Sequence, residues 1–344
     1  MPRVAHATAI SCKQAPGLRK NYQERECQGS FNGGHRASRR GTQVANTSSN
    51  RFTRHAVVAK TGRLPNVPFH RRVCRADAAD TLPAWSLHLG DGPVVATAIH
   101  AGHEVRPDAA EWMAIEAADR LREEDPLTGF LTSVGDSSIR VYRSRFEVDL
   151  NRPRDKAIAL RPEDCWGLEV WRRRPPASVV ERSLALYDRF YTEVGELLDR
   201  LVERWNSLLV LDVHSYNHRR GGPDQPAESI IDNPEINVGT ATMDREYWAT
   251  LVDAFLEALR CEQSQNRPLD VRENVKFMGG FFPRWVHSRY PKKVCVLSLE
   301  FKKVFMDEWS ATANIAALED LRIALRNATT ATRRELARLR EPKE

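Results

Sequence analysis

No apolar run in this 344-residue chain approaches about 18 residues, which excludes a transmembrane helix of the usual kind. Cysteine is scarce. The six are Cys12, Cys27, Cys74, Cys165, Cys261 and Cys295, and no two form a CxxC pair. That argues against a disulfide framework and a cysteine-built zinc site, and it predicts a reducing, cytoplasmic compartment. Cys295 stands inside an apolar run and reads as a small core residue. Acidic residues are sparse in one region only. Residues 1–80 carry 15 Lys and Arg against 4 Asp and Glu, whereas the rest carries 37 against 42. The net charge of +6 therefore belongs to the first 80 residues and says little about the remainder.

Residues 1–80 also lack any sustained period of 2 or 3.6. They are rich in Arg, Ser, Asn, Gly and Gln, which predicts a disordered basic N-terminal segment. Its Arg-rich, acid-poor composition is similar to that of an organellar targeting peptide, but it has no apolar core for a secretory signal. The pairs Arg39-Arg40 and Arg71-Arg72 allow weak nucleic-acid binding. A solvated tail or a misassigned start is the plainer reading, and nucleic acid is disfavoured as a partner.

From about residue 81 the pattern changes to that of one folded domain, 81–344. Hydrophobic content of 41% and charged content of 28% are ordinary for a globular protein. Trp85 to Leu89 alternates ahead of Gly90-Asp91-Gly92, and Val94 to Ile99 reads as a buried strand. Pro107 opens a helix whose face is marked by Ala110, Met113, Ala114, Ala117 and Leu121. Leu127 to Asp136 reads as loop, and Ile139 to Leu150 as a weakly alternating strand stopped by Pro153. Val179 to Trp205 is the longest helical pattern. Further buried strands are expected at Leu208–Leu211 and Val294–Glu300, a short one at Ile236–Val238, and helices at Tyr247–Cys261 and Ala311–Leu339. The alternation predicts an α/β fold, a mixed, mostly parallel sheet flanked by helices.

Three apolar strands end in reactive groups. The first ends in His100, His103 and Glu104, with Gly102 permitting a tight turn; the second in His214; the third in Glu300. Ends of central strands are where open α/β sheets build their sites. A catalytic zinc takes three protein ligands, two close in sequence and one distant, and leaves a place for water. His100, His103 and His214 fit that pattern, with Glu104 the alternative to His103. Asp212 lies on the same side of its strand as His214 and is placed to orient its ring. Lone histidines such as His88, His218 and His287 read as structural. Glu300 closes an apolar run, where burial raises a carboxylate pKa and suits a general base; the plainer reading is an ion pair with Lys302. Asn151 and Arg152 end another strand, where a guanidinium can clamp a substrate carboxylate or a developing oxyanion. Arg284 is a second candidate for that work, with Arg145 and Arg154 set aside as neighbours.

Asp149-Leu150-Asn151-Arg152-Pro153-Arg154-Asp155, Asp212-Val213-His214-Ser215, Asn237-Val238-Gly239-Thr240, and Leu299-Glu300 followed by Met306-Asp307-Glu308 resemble the N-formylglutamate amidohydrolase family. The match runs from about Val94 to Glu308. Asp-Leu-Asn-Arg and His-Ser-Tyr are also similar to the wider zinc carboxypeptidase and aspartoacylase group. The resemblance implies a phosphorylase/hydrolase-like fold, one zinc ion, and hydrolysis of a small N-acyl amino acid, N-formylglutamate being the name case. In such a reaction Glu300 is expected to act as base and then acid, with Arg152 and Asn151 on the substrate and Arg284 in reserve. In the wider group the first ligands come as His-x-x-Glu, whereas here the third residue after His100 is His103. Family members read Pro-His-Ser-Gly where this chain has Ile99-His100-Ala101-Gly102, so the substrate is expected to differ in detail. A carboxypeptidase-like or aspartoacylase-like hydrolase is the second reading. A non-catalytic binding protein using its basic segment is the third.

Overall fold

The computed structural model describes residues 72–75 and 83–339. The predicted disordered segment lies outside the described residues except for Arg72–Arg75. Those four form strand β1. In chain order the other strands are β2 (Pro83–His88), β3 (Val94–Ala98), β4 (Ser137–Val141), β5 (Leu208–Tyr216) and β6 (Ile236–Gly239). The two-residue pair β7 (Gln263–Ser264) and β8 (Arg267–Pro268), then β9 (Val271–Glu273) and β10 (Val294–Lys302), complete the set among the described residues. The helices are α1 (Pro107–Ala110), α2 (Ala117–Glu123), α3 (Thr128–Leu131), α4 (Ala177–Trp205), α5 (Ala249–Arg260), α6 (Phe281–Arg289) and α7 (Ile315–Arg338).

Eight strands make one sheet in the order β1-β2-β4-β3-β5-β10-β6-β9. Its centre, β4-β3-β5-β10, is wholly parallel; β2 runs antiparallel to β4, and β6 antiparallel to β10. The architecture is the mixed, mostly parallel α/β sheet that the sequence predicts. β3, β5 and β10 are the apolar runs read from the sequence, and they lie adjacent at the middle, where both faces are covered.

Strand alternation divides the core in two. On one face Leu209, Leu211, Val213, Cys295, Leu297 and Leu299 pack against α5 and α7. On the other, Val95, Leu208, Val210, Val294 and Val296 pack against α4 and α6. This second face changes character along each strand. β5 runs Leu208, Val210, Asp212, His214, and β10 runs Val294, Val296, Ser298, Glu300, while β3 turns polar at Thr97. The register sets Thr97 beside Asp212, Asp212 beside Ser298, and His214 beside Glu300. One end of one sheet face is thus polar and nearly water-free, which is costly unless the groups pair or work.

Three expectations change. The helix expected from Pro107 through Leu121 is broken, because Ala114 N donates to Val170 O and Met113 bridges Trp171, so this stretch pairs as extended chain between α1 and α2. The strand expected over Ile139–Leu150 ends at Val141. Glu147 N and Val148 N both donate to Ser144 O, a turn in which Phe146, Val148 and Leu150 are buried without sheet pairing. The loop expected over 127–136 contains α3 and a 3-10 turn, Thr132–Val134. The C-terminal pattern forms the single helix α7, whose Asn314 side chain caps Ala317 N at 3.1 Å.

Candidate metal centre

The polar end of the sheet gathers two histidines around one aspartate. His100 follows β3 and is 2% exposed; His214, near the end of β5, is 3% exposed. Asp125 comes from the connection after α2 and is tied to the first by a backbone bond, Asp125 N to His100 O at 3.0 Å. Its Oδ2 lies 2.9 Å from His214 Nδ1 and 3.6 Å from His100 Nδ1. The two rings are 4.8 Å apart and meet edge to face. One ligating atom from each of His100, Asp125 and His214 falls within 4.8 Å of the others, all three buried.

Each ring also has a carboxylate behind it. His100 Nε2 donates to Asp149 Oδ1 at 2.8 Å. His214 Nε2 lies 3.1 Å from Asp212 Oδ2, and the other oxygen of Asp212 accepts from Thr97 Oγ1 at 2.8 Å. Both Nδ1 atoms are thereby turned toward Asp125, with carboxylates behind the rings, the arrangement that orients metal-ligating histidines. Burial alone would raise the Asp125 pKa, but hydrogen bonds and charge from His100 and His214 hold it well below the usual carboxylate range. Burial opposes a charge on His214, yet Asp212, Asp125 and Glu300 raise its pKa well above the ordinary value. So many carboxylates around two imidazoles leave an excess of negative charge that a divalent cation would offset. The donor set, two imidazoles and one carboxylate, fits a divalent metal ion.

Glu300 stands beside His214 in the β5–β10 register and is half-buried. Burial pushes its pKa up to about 8; His214 counteracts this, and Asp125 and Asp212 reinforce it.

His103 points elsewhere. Its Nδ1 bonds Glu124 Oε2 at 2.6 Å, and its side chain is 38% exposed. Glu104 is exposed and pairs through its backbone with the Tyr142–Ser144 segment. Neither joins His100 and His214; the third position of the cluster is held by Asp125, which sequence reasoning missed. Asp125 sits in Glu123-Glu124-Asp125-Pro126, where three acids precede a proline and no periodicity singles one out. Gly102 serves close approach rather than a left-handed turn: a Cβ there would lie 2.2 Å from the carbonyl carbon of Tyr142.

Asn151 and Arg152 lie in a loop, not at a strand end. Asn151 braces the site wall: its Oδ1 accepts from Phe282 N at 2.9 Å at the start of α6. A side chain on Gly280 would strike it at 2.3 Å. Arg152 Nε is 3.3 Å from Asp149 Oδ2, and its guanidinium donates to Asp164 O. Arg145, set aside in the sequence, shares that carboxylate at 2.8 Å and is the less exposed of the two. Burial opposes its charge, but Asp149 and Asp125 raise its pKa further. Both guanidiniums lie over the ring of Trp166, at 4.9 and 5.5 Å. Arg284 is exposed on α6 and lines a separate cavity of about 360 Å³ with Thr242, Asp244 and His287; no bond joins it to the histidine cluster.

Solved structures share the fold, two of them at TM-scores above 0.5. A crystal structure of N-formylglutamate amidohydrolase from Ralstonia eutropha JMP134 aligns at a TM-score of 0.56 and 18% identity, covering 73% of this chain and 98% of that one. A gene product of Agrobacterium tumefaciens aligns at 0.51 and 18% identity, covering 73% and 96%. No curated protein matches the sequence. The family model for N-formylglutamate amidohydrolase matches residues 92–306, more than half of the chain and the whole span from His100 through Asp125 and His214 to Glu300. The chain belongs to the N-formylglutamate amidohydrolase family.

Proposed function

We propose that this amidohydrolase is zinc-dependent and cleaves the amide of an N-acyl amino acid, with N-formylglutamate as the type substrate. The observation that carries the reading is the convergence of His100 Nδ1 and His214 Nδ1 on Asp125 Oδ2, with Asp149 and Asp212 behind the rings. These three residues would hold the ion, in place of the set His100, His103 and His214 expected from sequence. When bound, zinc supplies a Lewis acid for the amide carbonyl and lowers the pKa of a water molecule.

Glu300 accepts a proton from the attacking water and delivers it to the departing amine nitrogen. Water adds to the acyl carbon, the carbon–nitrogen bond breaks, and a carboxylate and an amine leave; N-formylglutamate would give formate and glutamate. Arg152 and Arg145 present guanidiniums beside Asp149, where they bind a substrate carboxylate or offset the developing oxyanion. Asn151 acts through α6, whose first turn it fixes, and Arg284 has no part in this arrangement. Free thiols at Cys165, Cys261 and Cys295 accord with a cytoplasmic setting. Among the described residues no helix is long and apolar enough to cross a membrane.

The test is release of formate from N-formylglutamate by the zinc-loaded protein, before and after removal of the metal with a chelator. Activity lost on chelation and restored by zinc is expected. Undiminished activity in protein shown to be free of metal would refute the zinc assignment.

A further inference from the structure

Beyond the arginines already described, a cavity of about 630 Å³ opens with Arg152 on its wall. Its other cations are Lys156, Arg161 and Arg174, and its carboxylates are Asp155 and Asp164. Arg161 and Asp164 neutralise each other through two bonds, at 2.9 and 3.1 Å. Arg152 is engaged with Asp149. That leaves Lys156 and Arg174, exposed and without a side-chain partner among the described residues, in a cavity whose one other carboxylate is Asp155.

The placement of Arg174 is informative. In the run Arg172-Arg173-Arg174, Arg172 Nε donates to Met113 O at 2.7 Å and Arg173 lies 4.5 Å over the Trp112 ring. Only the third arginine is left to the cavity. Ile158 and Leu160 give the same cavity an apolar wall. Unpartnered cations and aliphatic side chains lining one cavity suit a short aliphatic chain that carries a carboxylate.

We propose that Lys156 and Arg174 form an anion-binding subsite, continuous with Arg152, that takes an aliphatic carboxylate additional to the two that N-formylglutamate carries. The proposal rests on the reading of Arg152 as a substrate-facing residue. It narrows the substrate class to N-acyl amino acids with an additional acidic extension, either on the acyl side or on the amine side. Because the cavity is open to solvent, its attraction is screened by salt.

The direct probe is glutarate, compared with its neutral analogue glutaramide, binding to the full-length protein as purified. Isothermal titration at low salt should favour glutarate, and Lys156→Ala/Arg174→Ala should weaken glutarate about tenfold while leaving glutaramide unchanged. Both side chains are exposed, so the thermal midpoint should not move. Kinetics then assign the side. N-formylglutamylglutamate carries the extension on the amine side and N-glutarylglutamate on the acyl side, and whichever loses kcat/KM in the double variant, relative to N-formylglutamate, identifies it. Selective glutarate binding that depends on the two cations, with no turnover of any substrate, would uphold the subsite and refute the hydrolase reading. Equal binding of glutarate and glutaramide, or glutarate binding unchanged in the double variant, would overturn the subsite.

Discussion

Strands β5 and β10 and the connection from Ile99 to Asp125 furnish the same cluster by different means. On the strands, a period of two does the placing. Once Leu208 and Val210 face the α4 side, Asp212 and His214 must follow, and Val294 and Val296 commit Ser298 and Glu300 in the same way. In the connection no period operates. Asp125 reaches the histidines through a backbone bond to His100 and through buried Lys303, whose ammonium donates to the carbonyls of Arg122 and Glu124 at 2.5 and 2.8 Å. A strand-borne member of the cluster is therefore written in local sequence, whereas a connection-borne member is fixed by contacts made only in the folded chain.

Removing a strand-borne ligand should have the largest effect. His214→Ala is expected to lose stoichiometric zinc, measured by elemental analysis, and to lower kcat/KM by at least about 10³-fold, since losing even a residue behind a ligand costs about 10–100-fold. Glu300→Gln keeps the cluster and removes the base. It should retain zinc while kcat falls by about 10²–10⁴-fold, and wild-type turnover in that variant would end the assignment of Glu300.

Those two positions were legible in the sequence because each ends an apolar strand. So were the sheet class, α4 and α7, which rest on long apolar patterns. The stretch from Ser144 to Leu150 was misread because Phe146, Val148 and Leu150 alternate as a strand does, although a turn buries them. Proximity in sequence favours His103 over Asp125, whereas the Glu124 carboxylate that bonds His103 is 21 residues distant. Arg145 was passed over because its burial and its bond to Asp149 are invisible until the turn is formed.

A smaller effect is expected behind His100. Asp149→Asn should weaken zinc affinity about 10–100-fold, read by chelator competition, without abolishing binding. The strand half has its own support at His287, on α6. Its Nε2 accepts from Val296 N of β10 at 3.0 Å, and its Nδ1 is 3.0 Å from Thr242 Oγ1. Burial lowers its pKa from 6.5 to about 4, against a small opposing effect from Thr242. The folded state thus holds this site neutral where the unfolded chain would take up a proton. The contribution is whole above pH 6.5 and declines as pH falls toward 4. Between pH 7 and 5, urea unfolding should lose about 2 kcal/mol from this group. His287→Gln should flatten that part of the pH dependence; an unchanged slope would remove His287 as its source.

The comparison between strand and connection turns most directly on zinc content in Asp125→Ala and His103→Ala, purified and analysed side by side with wild type. With Asp125 as the third ligand, Asp125→Ala loses its zinc and His103→Ala keeps about one ion per chain. Zinc retained in Asp125→Ala but lost in His103→Ala would contradict the account.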